Sequence, residues 1–403
     1  MPQAFVPSAN VAQLRPSATI ATAARARALK AAGRPIIDLS IGEPDFDTPD
    51  FIKAAAARAI AGGATKYTAP EGIMPLREAI AAVAGAHYRG SDAPQGLDVC
   101  VSGGSKQVLF NACFALFGPG DEVLIPTPAW TSYLDIVMLA RATPVPVLGD
   151  PDDGFRVSVD ALAAAATPRT KGIILNSPCN PTGTVLSADE LRAILDLARA
   201  KGWWVISDEI YRRIAYETAA PGALDLVESR DNLVVVDGVA KAYAMTGWRI
   251  GWAVAPRAVA KTLADLQSQT TSNPNTPAQH AALAALTGRD AAEESIAAMV
   301  RAFRARRDAA LAILAEPGAP RVVHPGGAFY LYVDASDFPC DDGDAGGAFC
   351  RTLLEAHDVA VVPGSAFGTP GWVRLSYAAA EHDVVTAVRR LVDAYRAATR
   401  VPA

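Results

Sequence analysis

Cysteine and histidine are scarce in this chain, with five of each among 403 residues. Cys100, Cys113, Cys179, Cys340 and Cys350 are odd in number, scattered and free of C-x-x-C spacing, so neither a disulfide framework nor a redox pair is expected. His87, His280, His324, His357 and His382 are equally isolated, which argues against a metal hydrolase and leaves no metal site expected. Long apolar runs are missing: nothing approaches bilayer-spanning length, and MPQAFVPSANVAQL has neither the basic start nor the apolar centre of a leader peptide. A cytoplasmic location is therefore expected. Excess positive charge is absent as well, because 37 Lys and Arg face 42 Asp and Glu. A net charge of −5 gives no general attraction to nucleic acid or to an anionic membrane. Small molecules are the expected partners.

What is present is the composition of a globular protein, 51% apolar and 20% charged, on a chain long enough for two domains. Short apolar runs alternate with amphipathic helical stretches through the middle, the pattern of an α/β domain with a mainly parallel sheet flanked by helices. Strands are expected at residues 99–102, 122–125, 172–176, 203–208, 233–237 and 250–255. A helix is expected over 187–201, with Ser187 and Glu190 at capping-box spacing. Residues 49–290 are assigned to this large domain. Residues 1–48 and 291–403, with the strand-like FYLYVD and VRLSYA, are assigned to a smaller α+β domain, and residues 341–347 to a surface loop.

Ligands of open α/β sheets collect beyond the carboxyl ends of the strands, and the residues following these strands are unusually rich in chemistry. Gly103, Gly104, Ser105 and Lys106 precede a helix and suit a phosphate, without Walker spacing. Trp130 can lie over a flat ring, Asn180 is held in a Pro- and Gly-rich turn, and Asp208, Glu209 and Tyr211 end an apolar strand. A carboxylate buried there requires a cationic partner. Lys241 sits among Val, Ala, Tyr and Met, surroundings that favour the neutral, nucleophilic amine. Arg374 alternates with apolar residues in WVRLSYA and is expected to point into an enclosed site, where a guanidinium grips a carboxylate. Each feature alone has a structural alternative: a packing Trp, a turn Asn, a snorkelling Lys, an ion-paired Arg. Together they match pyridoxal 5'-phosphate.

At DLSIGEPDFDTP, KYTAPEGIMPLREAI, NSPCNPTG, SDEIY, AKAYAMTGWRIG and VRLSYA the chain resembles the class I aminotransferases of the fold-type I pyridoxal-phosphate enzymes, most closely the bacterial aspartate aminotransferase subgroup. The resemblance implies catalytic roles for Lys241, which joins the cofactor covalently, Asp208, which pairs with the pyridine nitrogen, and Tyr211. Tyr211 and Asn180 would donate to the ring's phenolic oxygen, and Trp130 would stack on the ring. Gly104, Ser105, Arg249 and Lys106 would line the phosphate end, joined by Tyr67 from a second subunit of a homodimer. Arg374, Asn180 and the backbone of Gly42 would take the substrate α-carboxylate. Lys106 and Thr19 would take a distal carboxylate, which implies aspartate with 2-oxoglutarate and ping-pong kinetics. No hydroxyl stands in Gly238-Val239-Ala240, where many relatives place a phosphate-binding serine. The competing expectations are an aromatic, alanine, prephenate or specialised-pathway aminotransferase, and another fold-type I enzyme. A transcription regulator built on this fold is disfavoured by the lack of a basic DNA-binding segment.

Overall fold

The computed structural model describes residues 5–14, 18–84, 96–227 and 230–399, with backbone only at 18 and 19. Its centre is a seven-stranded sheet. In chain order, after a two-residue strand β1 (Ile37–Asp38), its strands are β2 (Leu97–Ser102), β3 (Glu122–Thr127), β4 (Thr143–Leu148), β5 (Thr170–Asn176), β6 (Trp204–Asp208), β7 (Leu233–Gly238) and β8 (Gly251–Pro256). Their spatial order is β2-β8-β7-β6-β5-β3-β4. The pairs among β4, β3, β5, β6 and β7 are parallel, whereas β8 runs antiparallel to both β2 and β7.

Both faces of the sheet are covered, and the period-two alternation of a strand divides its residues between two cores. Val99, Val101, Ile173, Val205 and Val235 enter one, and Cys100, Ile174, Ile206, Val234 and Val236 the other. Ser187 and Glu190 close a reciprocal capping box on the helix Ala188–Lys201, as their spacing predicts.

A strand absent from the sequence expectations is β4. Pro144 and Pro146 argue against a strand, yet β4 lies at the sheet's edge, where a missing N–H leaves no ladder bond unmade. Residues 341–347 are also corrected: the loop ends at Asp344, whose carboxylate accepts from Gly347 N at 2.9 Å and caps the helix Ala345–Ala356.

The C-terminal part builds a second sheet from β9 (Val322–Val323), β10 (Tyr330–Asp334), β12 (Val362–Pro363) and β13 (Trp372–Ser376), in the order β12-β13-β10-β9 and antiparallel throughout. Strand β1 pairs in parallel with β11 (Val359–Ala360), tying the N-terminal segment to this unit. Its core, around Phe303, Phe329, Phe349, Leu375 and Leu391, also receives Tyr211 and Ile214 from the turn after β6. That turn therefore belongs to both units.

Candidate active site

Strands β2, β3, β5, β6 and β7 all finish at one edge of the large sheet and deliver Ser105, Trp130, Asn180, Tyr211 and Lys241 there. The reversed strand β8 starts at that edge instead of ending there, so Arg249, just before Gly251, arrives by the opposite route. From the second sheet, β13 contributes Arg374 and β10 contributes Tyr330, while the segment after β1 contributes Gly42 and Glu43. These side chains enclose a cavity of about 380 Å³.

The Lys241 amine is enclosed while its side chain keeps a face toward this cavity, and Nζ donates to the Gly42 carbonyl. Burial pushes its pKa down to about 8; Glu43 and Asp208 pull the other way, and Arg374 and Arg249 add to the fall. Asp208 is 3% exposed. The expected cationic contact is replaced by neutral donors: Tyr133 Oη donates to Oδ2 at 2.7 Å and Ile210 N to Oδ1 at 3.2 Å. Burial dominates and lifts this carboxyl to about 6, against the pull of those hydrogen bonds and of Lys241. The Asp208 charge is thus held in place by oriented dipoles, with the lysine charge acting across the cavity.

Arg374 is 2% exposed; Nη1 donates to Asn180 Oδ1 at 3.0 Å and Nη2 to the Ser40 carbonyl at 2.7 Å. Its guanidinium carbon lies 4.6 Å from the Tyr330 ring centre and 4.9 Å from that of Phe367. Nε is buried without a hydrogen-bond partner among the described residues. Because Asn180 Oδ1 is committed to Arg374, its Nδ2 is the donor it can offer the cavity.

The phosphate-suited end is compact. Gly104 has φ of 95°, a left-handed geometry, and a Cβ there would stand 2.5 Å from Arg249 Nη2, so the guanidinium packs directly over the turn. Ser105 opens the helix Ser105–Leu116, which has no side-chain cap, and its hydroxyl donates to the Asp237 carbonyl at 3.0 Å. Lys106 Nζ lies 4.7 Å from the Trp130 ring centre, and burial and then Arg249 hold its pKa below the ordinary lysine value. Two cations crowded at a helix N-terminus repel each other and the dipole, an arrangement suited to an intervening anion.

Two of the sequence candidates fall elsewhere. Tyr67 is 88% exposed and does not face this cavity. The Thr19 side chain lies outside the described residues, although its neighbour Ile20 lines the cavity. Among the described residues no group of three His, Cys, Asp or Glu side chains is placed to hold a metal, and no helix is long and apolar enough to cross a membrane.

A family profile described as aminotransferase class I and II matches residues 34–391. The chain belongs to this family. It is 43% identical over 394 residues to a probable aspartate/prephenate aminotransferase of Thermus aquaticus, covering 96% of this chain and 98% of that relative. Its identity to an aspartate aminotransferase of Streptomyces avermitilis is 43% over 399 residues, 95% of each. The solved aspartate aminotransferase of Thermus thermophilus with maleate superposes with a TM-score of 0.90 at 41% identity, covering 97% of this chain and 100% of that one. That of Rhizobium meliloti gives 0.88 at 38%, covering 97% and 99%. The fold is accordingly the fold-type I transferase architecture expected above, and the protein is an aminotransferase.

In this aminotransferase the cavity also holds groups that the sequence reading passed over. Tyr133 follows Trp130 by three residues and stands edge-on to it, with ring centres 5.3 Å apart. A buried Asp208 signals the need for some donor, but not that a tyrosine 75 positions earlier supplies it. Asn176 ties the ends of two strands together, its Nδ2 donating to the Asp208 carbonyl at 3.0 Å and its Oδ1 accepting from Asn180 N at 2.8 Å. Glu43 accepts from Thr246 Oγ1 at 2.9 Å at the cavity wall.

Asp208→Asn is expected to separate stability from activity in this aminotransferase. A carboxyl whose folded pKa is about 6 against an ordinary 3.8 binds its proton more tightly when folded. Its stabilising contribution is full below 3.8 and is lost as pH rises through 6. At pH 7 the cofactor-free protein therefore carries a burial cost on the order of 2–3 kcal/mol that asparagine avoids. Denaturant unfolding of the cofactor-free variant should show higher stability than wild type at pH 7 and a shrinking gap toward pH 4, while turnover falls. A variant less stable than wild type at pH 7 contradicts this electrostatic account.

Proposed function

We propose that this aminotransferase uses pyridoxal 5'-phosphate to move amino groups between aspartate and 2-oxoglutarate. The observation that carries the reading is a count of charges around one cavity. Four cations, Lys106, Lys241, Arg249 and Arg374, face only two carboxylates, Glu43 and Asp208. Lys241 is the covalent attachment point for the cofactor, and three cations remain for three anionic groups: a phosphate and the two carboxylates of a dicarboxylic amino acid.

In this reading Gly104, Ser105 and Arg249 hold the phosphate, with Tyr67 of a partner subunit reaching across a homodimer boundary. The exposure of Tyr67 in the single chain supports that placement. Trp130 would lie against the ring, Asp208 would pair with its nitrogen, and Tyr211 with Asn180 would donate to its phenolic oxygen. Arg374, Asn180 and the Gly42 backbone would hold the α-carboxylate, and Lys106 the distal one. Residues 49–290 form the large domain, and residues 1–48 with 291–403 form the small domain.

Bound pyridoxal phosphate supplies a conjugated electron sink for the electrons released at the substrate Cα. The protein's own residues do the rest. Asp208, charged above pH 6, keeps a proton on the ring nitrogen by pairing with it. Lys241, once its amine is free, would be a base of suitable pKa to take the proton from the substrate Cα and deliver it to the carbon on the far side of the transferred nitrogen. Arg374 and Asn180 fix the α-carboxylate so that this proton faces Lys241. Release of one oxo acid before entry of the next gives ping-pong kinetics.

A panel of amino donors with 2-oxoglutarate tests the assignment, aspartate being the expected best. Lys106→Ala should lower kcat/KM for aspartate by one charge-assisted hydrogen bond, about 1.5–3 kcal/mol or roughly 10- to 150-fold. Alanine, lacking a distal carboxylate, should be little affected. Equal losses for both donors, with weakened cofactor binding, would move Lys106 from the substrate to the phosphate. Relatives named for both aspartate and prephenate support prephenate as a second acceptor, measured in the same assay.

A further inference from the structure

Tyr330 has no part in the roles assigned so far, yet it is 1% exposed and lines the cavity. Its hydroxyl lies 2.7 Å from that of Tyr211, with the two rings edge to face at 5.8 Å. A Cβ at Gly42 would stand 2.5 Å from the same Tyr330 oxygen, so the side chain cannot swing toward the N-terminal segment. On its other side the Arg374 guanidinium stacks on the ring at 4.6 Å. Tyr330 thus stands between the carboxylate-gripping arginine and the tyrosine that faces the cofactor ring.

Two phenols sharing one short contact must divide the roles of donor and acceptor. Burial raises the pKa of both, but they are not equivalent. The Arg374 guanidinium lies 4.6 Å from the Tyr330 ring, closer than the Lys241 amine lies to the Tyr211 ring at 5.6 Å, and the closer positive charge over a phenol favours loss of its proton more, which makes the Tyr330 O–H the stronger donor. A Tyr330 that donates leaves the Tyr211 proton unused within the pair. That proton is then available to the cavity.

We infer that Tyr330 is a positioning residue: its hydroxyl donates to Tyr211 under the field of Arg374 and thereby aims the Tyr211 proton at the phenolic oxygen of the bound ring. The inference rests on the assignment of Tyr211 as a donor to that oxygen. It adds a consequence. A substrate carboxylate that neutralises Arg374 weakens the donor strength of Tyr330, so occupancy of the carboxylate site is transmitted to the ring oxygen through two hydroxyls.

Tyr330→Phe removes one oxygen and keeps the ring. In cofactor-free protein labelled with 13Cζ tyrosine, the Tyr211 resonance should shift in this variant, a readout independent of the loaded enzyme. In the loaded enzyme the pH midpoint of the visible absorption should move, and kcat/KM should fall by one neutral hydrogen bond, about two- to tenfold. In a Tyr211→Phe background the same substitution should do neither. Placing 3-fluorotyrosine at 330, nearly equal in size and more acidic, should move the midpoint in the opposite direction, which covers the case of a Phe variant that folds poorly. Equal effects of Tyr330→Phe with and without the Tyr211 hydroxyl, or an unshifted Tyr211 resonance, would overturn the relay. A Tyr211→Phe enzyme with unaltered absorption and turnover would instead remove the assignment of Tyr211 beneath it.

Discussion

Lys241→Ala, supplied with pyridoxal phosphate, is expected to lack the visible absorption of the wild-type enzyme and to lose turnover by a factor on the order of 10⁴ or more. The size follows from the two jobs lost together. A positioned base contributes about 10²–10⁴ by itself, and the covalent attachment proposed for the cofactor would add to it. The enclosed amine has no substitute, because the next lysine of the cavity, Lys106, is committed beside Trp130 at the far end. Absorption spectra and single-turnover rates of the purified variant measure both losses. Retention of the band with near-normal turnover would reject the central role of this lysine. Exogenous small amines that restore part of the rate but no protein-bound chromophore would support it, since they replace the base without replacing the bond.

Arg374→Lys should be nearly as damaging although the charge is kept. The guanidinium meets its surroundings as a planar fork, with Nη1 on Asn180, Nη2 on the Ser40 carbonyl and Nε without a partner among the described residues. A lysine ammonium cannot satisfy those directions at once or stack between Tyr330 and Phe367. Two charge-assisted bonds to a carboxylate at about 1.5–3 kcal/mol each set the expected loss in kcat/KM at about 10²- to 10⁴-fold. KM should rise for every amino acid, whatever its side chain, because all share the α-carboxylate. This separates Arg374 from Lys106, whose loss should depend on the donor. A side-chain-selective effect of Arg374→Lys would exchange the two assignments.

The chemistry of the strand ends was legible because it is local. An apolar run of four to six residues followed by Gly-Gly-Ser-Lys, Asp-Glu-Ile-Tyr or Gly-Val-Ala-Lys fixes which residues leave the sheet at its carboxyl edge, whatever the order of the strands. Lys241, Asp208, Tyr211, Asn180, Ser105, Lys106 and Trp130 meet in one cavity for that reason. Strand β4 was lost to its prolines, since nothing local reveals that a strand lies at an edge. The reversal of β8 was equally hidden, and with it the geometric reason why Arg249 precedes its strand yet reaches the same edge.

By itself, then, the sequence determined the residue types at the site, the class of cofactor they suit and the layered α/β plan, all of which depend on spacing over a few residues. The tertiary structure alone decided how those groups are tuned. Asp208 is oriented by a tyrosine 75 positions away, Arg374 by partners 194 and 334 positions away, and Tyr211 by one 119 positions away. Hydrogen-bond partners at such separations are set by which surfaces the two cores press together, and burial shifts a pKa only once that packing exists.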